Sequence, residues 1–306
     1  MTIPTRVLGR TGAQVTILGY GAMELRGRPR GPELEEADVG RLLNELLDAG
    51  VNLIDTSIDY GRSEELIGRY LSGRRDEYFL ASKCGCALSL PSDAVPPFPH
   101  DFSAANVRAG VEQSLRRLQT DHLDLVQVHM SPSRAELEAG GTVEELERLR
   151  DEGKIRFLGM SGTLPHLPGQ IEMSVFDVFQ IPYSALQPEH DELVSRAAAA
   201  GAGVLIRGGV ARGTAAQDKN WGVQPLGGSG PSAQDRWQAA GLDELLADGM
   251  SRHEFILRFT LSHPALTSTI VGTSSVEHLR NNIEIAGRGP LPADVYTEAR
   301  RRLADA

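Results

Sequence analysis

Four polar side chains stand at or just after the ends of separate apolar runs, and together their chemical types can move a proton. Asp55 and Tyr60 follow one run, Lys83 closes the segment FLASK, and His129 closes the segment DLVQVH. A buried ammonium is unfavourable unless an anion pairs with it, so Asp55 is the natural partner of Lys83. A cation near a phenol lowers the pKa of that phenol from its usual value of ~10. The pattern predicts Tyr60 as a general acid beside a Lys83–Asp55 ion pair.

Short apolar runs alternate with longer amphipathic segments along the chain, which indicates alternating strands and helices. The predicted strands are residues 15–21, 51–56, 78–82, 123–129, 155–161, 175–183, 203–207 and 268–272. The predicted helices are residues 35–50, 63–71, 104–118, 143–151, 191–200, 253–262, 276–285 and 293–303. The apolar runs do not alternate strictly with polar residues, and this is typical of strands buried on both faces of a parallel sheet.

Eight strands with intervening helices in 306 residues predict an α/β fold, a (β/α)8 TIM barrel forming a single domain over residues 1–306. A hairpin-like stretch at residues 6–12 precedes the barrel, and the helix at 293–303 is an extra C-terminal element. A doubly wound sheet is the alternative, and it is disfavoured because no Gly-x-Gly-x-x-Gly occurs. Two irregular segments, 84–102 and 212–241, follow strands. We expect both on the rim, and the first to help form a substrate pocket.

Active sites of such barrels lie at the carboxyl ends of the strands, where this chain places further polar residues. They include Ser161, Gln180, Tyr183, Arg207 and the run Thr273–Ser275. Taken singly, a histidine or tyrosine at such a position is more often structural than catalytic. The convergence of many polar groups on one mouth is what favours an enzyme.

The composition excludes several classes of partner. The net charge is −10 with a pI near 5.3, so the chain lacks the basic patch that nucleic acid or an anionic membrane surface requires. No window approaches the ~18 apolar residues of a membrane span, and the N-terminus has no apolar signal region. We therefore expect a cytoplasmic protein. The sequence leaves its oligomeric state open.

The two cysteines, Cys84 and Cys86, form a Cys-Gly-Cys run that is too short for an unstrained disulfide. Two cysteines are also too few for a structural zinc site, so we expect neither a disulfide nor a metal there. A metal-dependent hydrolase on the same barrel is a further alternative. It is disfavoured because the chain has no His-x-His and no His-Glu-x-x-His motif.

Several segments resemble the aldo-keto reductases, and the resemblance covers nearly the whole chain. The matching segments are LGRTGAQVTILGYGAM, NLIDTSIDYGRSEELIGRYL, ASKCG, LVQVHM, GKIRFLGMSG and VGTSSVEHLRNNI. The resemblance implies an oxidoreductase that uses NADPH, with NADH as a possible substitute, to reduce a small aldehyde or ketone or to run the reverse reaction. It also implies that Tyr60 donates the proton, that Lys83, held by Asp55, lowers the pKa of Tyr60, and that His129 orients the carbonyl. The alternative within this resemblance is a non-catalytic NADP(H)-binding regulatory subunit.

The resemblance further implies a set of cofactor-binding residues. These are Ser161, Gln180, Tyr183, Arg207, Gly208, Gly272, Thr273, Ser274, Ser275, His278, Asn281 and Asn282. Gln180 would hold the nicotinamide amide and Tyr183 would stack on its ring. Gly162, Gly272, His278 and Asn281 replace residues that the family usually has, namely Asn, Lys, Arg and Glu. Arg212, Lys219 and Arg280 are additional basic candidates, although Arg280 is expected to point elsewhere. We expect NADPH to be preferred over NADH, less strongly than is usual, and more so toward pH 6, where a histidine gains charge.

Overall fold

The computed structural model describes residues 3–28, 33–88, 99–210 and 233–306. A two-stranded antiparallel hairpin comes first, formed by β1 (Thr5–Val7) and β2 (Gln14–Thr16). The predicted strand at residues 15–21 is therefore two strands. Its first half pairs within the hairpin, and its second half belongs to the barrel. Alternation of apolar residues did not reveal the break, because both halves are buried.

Eight parallel strands form a closed barrel in which neighbours along the chain are neighbours in space. They are β3 (Leu18–Gly21), β4 (Leu53–Asp55), β5 (Phe79–Cys84), β6 (Leu123–Val128), β7 (Ile155–Ser161), β8 (Val178–Pro182), β9 (Gly203–Arg207) and β10 (Ser268–Val271). The last strand, β10, closes the barrel by pairing with β3. The predicted (β/α)8 fold, including the N-terminal hairpin, is confirmed.

Helices surround the barrel and follow the strands. They are α1 (Glu36–Asp48), α2 (Ser63–Leu71), α3 (Ala104–Leu118), α4 (Arg134–Gly140), α5 (Thr142–Asp151), α6 (Leu167–Glu172), α7 (Asp191–Ala199), α8 (Ala233–Ala239), α9 (Arg252–Leu261), α10 (Val276–Gly287) and α11 (Ala293–Asp305). The sequence analysis missed α4, α6 and α8, which have only six or seven residues, too few to show a helical period. In the part of the chain that the structure describes, no helix is long and apolar enough to cross a membrane.

The hairpin closes the amino-terminal end of the barrel. Leu8 and Val15 are fully buried in one cluster with side chains from the barrel interior. The interior members of this cluster are Leu53, Phe79, Ala81, Leu125, Val178 and Leu205. A separate, larger core lies between the strands and the helices. Because apolar side chains fill the amino end of the barrel, we expect polar chemistry at its carboxyl end.

Candidate active site

A buried ion pair joins the ends of β4 and β5. Lys83 Nζ donates to Asp55 Oδ2 at 2.7 Å and to the Thr56 carbonyl at 2.7 Å. The two charged side chains are only 1% and 2% exposed. Burial alone would lower the pKa of Lys83, but the Asp55 carboxylate outweighs it and the pKa is raised. The lysine is therefore a permanent cation, as the sequence predicts.

Two glutamine side chains satisfy the other oxygen of Asp55. Gln127 Nε2 donates to Asp55 Oδ1 at 2.7 Å, and Gln180 Nε2 donates to the same atom at 2.8 Å. Sequence analysis missed Gln127, which is in register with Lys83 across β5 and β6. A polar residue inside the apolar run LDLVQV was the available signal. These amides fix the carboxylate, and through it the ammonium.

Tyr60 lies in the turn after β4, where its backbone N–H donates to the Ser57 carbonyl at 3.0 Å. The ammonium of Lys83 lies 4.9 Å from the centre of the Tyr60 ring. Burial raises the pKa of Tyr60 to about 12, and Lys83 acts in the opposite direction without overcoming it. The predicted sign of the lysine effect is correct, but the predicted net lowering of the pKa is wrong, because loss of water around the phenol is the larger contribution.

His129 follows β6, and its ring meets the Tyr60 ring edge-on with centroids 6.3 Å apart. Burial lowers the pKa of His129 to about 3, so the imidazole is neutral. Its Nδ1 lies 3.1 Å from Cys86 Sγ. Burial also raises the pKa of the Cys86 thiol, so the sulfur keeps its proton and can donate it to Nδ1. A neutral imidazole that accepts at Nδ1 carries its own proton on Nε2.

Asp59 is a second carboxylate at the mouth that sequence analysis missed. Its Oδ1 accepts a hydrogen bond from Ser57 Oγ and lies 3.8 Å from His129 Nδ1. Burial alone would raise its pKa, but the Ser57 hydrogen bond and the charge of Lys83 lower it. It is one residue before Tyr60, in the segment SIDYG. An aspartate in a turn is so common that its position gave no signal.

Backbone strain follows His129 directly. Met130 and Ser131 both have positive φ, at 63° and 54°, which non-glycine residues seldom adopt. The Ser131 hydroxyl donates to the Thr163 carbonyl at 2.9 Å and accepts from the Thr163 N–H at 2.9 Å. These bonds hold the strained turn in place. Met130 is 42% exposed, an unusual position for a large apolar side chain. Strained residues of this kind concentrate at functional sites.

Three of the predicted nicotinamide-binding residues are occupied by contacts within the protein. Gln180 donates to Asp55, and its Oε1 accepts from Ser161 Oγ at 3.4 Å. Tyr183 is 1% exposed, with its ring stacked on Phe259 and meeting His263 edge-on. In this structure Tyr183 presents almost no free face for stacking. Its role in holding the nicotinamide stays a prediction.

The remaining predicted cofactor residues lie after β9 and β10. Arg207 lowers the pKa of both Tyr60 and His129 by its charge, which places it at the mouth. Gly208 follows with a positive φ of 72°. A Cβ at Gly272 would lie 2.6 Å from the Gly21 carbonyl oxygen, so the lysine usual in the family would force the backbone apart.

The start of α10 is held by its own side chains. Ser275 Oγ accepts from the His278 N–H at 3.3 Å, and Thr273 Oγ1 accepts from the Ser275 N–H at 3.0 Å. Among the predicted cofactor-binding residues of this region, Ser274, His278 and Asn281 have exposed side chains. Asn282 is buried, and its amide oxygen lies 2.7 Å from His253 Nε2. It holds α9 against α10 in this structure, which is a structural role that the sequence did not suggest.

Arg280 points away from this region, as expected, and pairs with Glu45 on α1. Two other predicted basic residues, Arg212 and Lys219, lie outside the described residues. The same holds for residues 89–98 and 212–232 of the two irregular segments. Cys84 and Cys86 are both free, buried thiols.

The closed barrel carries its ionisable side chains at the carboxyl ends of the strands, which is where TIM-barrel enzymes have their active sites. The model of the Aldo/keto reductase family matches residues 17–302, so this chain belongs to the aldo/keto reductase family. The resemblance read from the sequence motifs is thereby confirmed. Members of this family use a nicotinamide cofactor. The structure brings together Asp55, Tyr60, Lys83 and His129, whose individual catalytic roles stay predictions.

Similar proteins span nearly the same length. The uncharacterized oxidoreductase YqkF of Bacillus subtilis (strain 168) is 29% identical over 288 residues, covering 92% of this chain and 90% of that protein. L-galactose dehydrogenase of Arabidopsis thaliana is 28% identical over 305 residues, covering 92% and 87%. The holo form of aldo-keto reductase AKR11C1 from Bacillus halodurans matches with a TM-score of 0.83 and 28% identity, covering 98% of this chain and 96% of that one.

Proposed function

We propose that this protein is an NADPH-dependent reductase of small aldehydes or ketones, able to run in reverse, with Tyr60 as the general acid. The observation that carries the proposal is the Lys83 ammonium, bound to Asp55 and 4.9 Å from the Tyr60 ring. A phenol with a pKa near 12 keeps its proton until a stronger base develops beside it. The alkoxide formed when a carbonyl is reduced is such a base.

The mouth fits an extended anionic cofactor. Arg207 supplies a cation there, and its charge acts on both Tyr60 and His129. The first turn of α10 follows β10 at the same end of the barrel, and helix N-termini favour phosphate. Arg207, Gly208, Gly272, Thr273, Ser274, Ser275 and His278 would hold the phosphates, and Ser161 with Gln180 would hold the nicotinamide amide. The reduced nicotinamide supplies a hydride to the carbonyl carbon.

The Lys83–Asp55 pair makes the proton transfer reversible. When Tyr60 gives up its proton, the phenolate faces an ammonium that is already in place and already dehydrated. Asp55 keeps the ammonium in this position, because Gln127 and Gln180 hold the second oxygen of the Asp55 carboxylate. Such pre-positioned charge stabilises the transition state without reorganisation.

His129 orients the substrate. With the Cys86 thiol as the donor to Nδ1, 3.1 Å away, the neutral ring carries its proton on Nε2, where it can donate to a carbonyl oxygen. With a pKa near 3 the ring does not compete with Tyr60 as the proton source at neutral pH. One group orients the carbonyl and the other delivers the proton.

The test is the Tyr60→Phe variant. We expect kcat/KM for a generic aldehyde to fall about 10²–10⁴-fold, the usual contribution of a general acid. Binding of NADPH, followed by fluorescence, should persist because only a hydroxyl is removed. Tyr78→Phe is the matched control, since Tyr78 is buried before β5 at the opposite end of the barrel. Turnover near wild type in Tyr60→Phe would refute the acid assignment. Cofactor binding by the wild type without turnover of any aldehyde, ketone or alcohol would favour a regulatory subunit.

A further inference from the structure

Three side chains with metal-binding atoms lie together on one side of the mouth. They are Cys86, His100 and His129, and their ligand atoms are all within 4.8 Å of one another. Cys86 Sγ and His129 Nδ1 are already 3.1 Å apart. Among the described residues no other group of three histidine, cysteine, aspartate or glutamate side chains is arranged to hold a metal ion. The cluster is therefore a distinct feature of the described part of the chain.

Backbone hydrogen bonds fix the positions of all three residues. Cys86 and His100 face each other in an antiparallel bridge. On either side of it the Ala87 N–H donates to the Pro99 carbonyl at 3.1 Å, and the Asp101 N–H donates to the Gly85 carbonyl at 2.9 Å. The His129 N–H donates to the Cys84 carbonyl at 3.0 Å. The side chains thus converge because the main chain holds them there.

Gly85 makes this bridge possible. Its φ is +87°, and a Cβ at this position would lie 2.6 Å from the Phe102 ring. Phe102 stacks on His100, with ring centroids 6.0 Å apart. The close packing of Phe102 on Gly85 therefore also supports the His100 imidazole from behind. A ligand held from both its backbone and its ring face is partly ordered before any metal arrives.

The charges around the cluster suit a divalent cation. The carboxylate of Asp59 lies 3.8 Å from His129 Nδ1. The nearby ammonium of Lys83 is paired with Asp55 and does not stand as an uncompensated charge. A Cys thiolate, two neutral imidazoles and one carboxylate carry a total charge of −2, which balances a divalent ion.

Against the expectation drawn from the two cysteines alone, we propose that Cys86, His100 and His129 form a zinc-binding site, with Asp59 beside the open fourth position. One thiolate and two imidazoles are a donor set that Zn²⁺ favours, at about 2.3 Å for sulfur and about 2.0–2.1 Å for nitrogen. In a tetrahedron these lengths put sulfur and nitrogen about 3.5 Å apart. The 3.1 Å between Cys86 Sγ and His129 Nδ1 is near that value, and the ligand atom of His100 lies within 4.8 Å of both. The Zn–S bond replaces the thiol S–H bond, so one proton per ion passes to the buffer and no electron is transferred.

Zinc on Nδ1 would leave the proton of His129 on Nε2, so the metal would take over from the Cys86 thiol in fixing the tautomer of the ring, a consequence that rests on the proposed function. Binding itself is measurable without any turnover, so the site and the proposed reaction can fail separately.

The experiment uses the full-length, metal-free protein titrated with Co²⁺ as a spectroscopic probe and with Zn²⁺ as the competitor. We expect one Co²⁺ per chain, a thiolate-to-cobalt charge-transfer band in the near ultraviolet, and ligand-field bands of tetrahedral intensity. Zn²⁺ should abolish both at one equivalent. Absence of the charge-transfer band at stoichiometric Co²⁺ would overturn the proposal.

Variants locate the site. Cys86→Ser should remove the charge-transfer band, and His100→Ala should weaken Zn²⁺ binding by more than the about 10–100-fold typical of losing an outer partner. Cys84→Ala and His122→Gln are the matched controls and should bind as the wild type does, because Cys84 is the neighbouring free thiol and His122 precedes β6 at the far end of the barrel. Circular dichroism identifies any variant that fails to fold, and His100→Asn then replaces His100→Ala. A cobalt spectrum unchanged in Cys86→Ser, or lost in Cys84→Ala, would also overturn the assignment.

Discussion

Two buried ion pairs lie at opposite ends of the barrel. Lys83–Asp55 is at the carboxyl ends of the strands, with an N···O distance of 2.7 Å. Arg75–Asp124 is at the amino ends, at 2.6 Å, with side chains 13% and 4% exposed. Both carboxylates have additional donors. Asp124 accepts from the Leu80 N–H and from Arg156, at 2.8 and 2.9 Å. By length and burial alone the two pairs look similar.

They differ in where the neighbouring tyrosine lies. Arg75 lies 5.3 Å from the centre of the Tyr78 ring, and its other donors go to a threonine hydroxyl and to two backbone carbonyls. The ammonium of Lys83 lies 4.9 Å from the centre of the Tyr60 ring. In both places burial raises the pKa of the phenol to about 12, against the effect of the cation. Tyr78 precedes β5 at the amino end, which the hairpin closes, whereas Tyr60 follows β4 at the carboxyl end, where active sites of such barrels lie. We therefore expect the chemistry at the carboxyl end of the barrel.

The largest expected effect comes from removing the mouth cation. Lys83→Met should lower kcat/KM for an aldehyde about 10²–10⁴-fold, because the phenolate of Tyr60 then has no counter-charge. Affinity for NADPH, measured by fluorescence, should change little. Asp124→Asn at the other end should leave kcat unchanged. Equal loss of kcat in both variants would mean that the two ion pairs do not differ in role.

Removing the mouth anion should affect stability as well. Asp55→Asn leaves the Lys83 ammonium buried without its partner and should lower the free energy of unfolding by about 3–5 kcal/mol, together with activity. The double variant Asp55→Asn/Lys83→Met removes both charges, so it should regain stability in urea unfolding but no activity. Activity restored along with stability would show that the pair acts only through folding.

One histidine near each end of the barrel, His190 and His122, allows the two ends to be compared by the pH dependence of stability. His190 Nε2 accepts from the Leu164 N–H at 3.2 Å and lies 3.0 Å from Thr163 Oγ1, close to the mouth. Burial and the charge of Arg207 lower its pKa, with Glu189 acting weakly in the opposite direction. Just below pH 6.5 this histidine therefore binds a proton in the unfolded chain but not in the folded protein. The contribution of His190 to the free energy of unfolding is present in full above about pH 6.5. It falls as the pH is lowered, by at most about 1.4 kcal/mol per pH unit.

Urea unfolding between pH 7 and pH 5 measures this slope. His190→Gln, which keeps an acceptor but does not titrate, should flatten the slope relative to the wild type. His122→Gln, at the far end of the barrel, is the control and should leave the slope as it is in the wild type. An identical slope in wild type and His190→Gln would remove His190 from the explanation.

The smallest expected effect concerns the choice of cofactor. His278 is exposed in the first turn of α10, and its charge on acidification should strengthen NADPH binding by about 0.2–1 kcal/mol, as for exposed charge pairs. The ratio of NADH to NADPH dissociation constants should therefore rise from pH 8 to pH 6. His278→Gln should abolish the rise, whereas Arg280→Gln should not, because Arg280 pairs with Glu45. A constant ratio in the wild type would exclude His278, and equal affinities throughout would contradict the NADPH preference.

Much of the fold was predictable because its signals are local. The period of apolar residues located every barrel strand, and α2 and α3 begin and end at the predicted residues. The strand predicted at residues 175–183 begins later, at Val178, because apolar residues precede it outside the sheet. Helices of six or seven residues, such as α4 and α6, contain too few turns for their period to be recognised.

By itself, the sequence determined the order of the strands and helices and the placement of Asp55, Tyr60, Lys83 and His129 near strand ends. It could do so because the carboxyl ends of parallel strands in a barrel all meet at one mouth. Only the tertiary structure decided which side chains touch. The contacts of Gln127 and Gln180 with Asp55, and of Cys86 with His129, join residues 43 to 125 positions apart. Such contacts depend on strand register and barrel closure, which no local pattern encodes. For the same reason burial, set by the whole fold, outweighed the Lys83 charge in fixing the pKa of Tyr60.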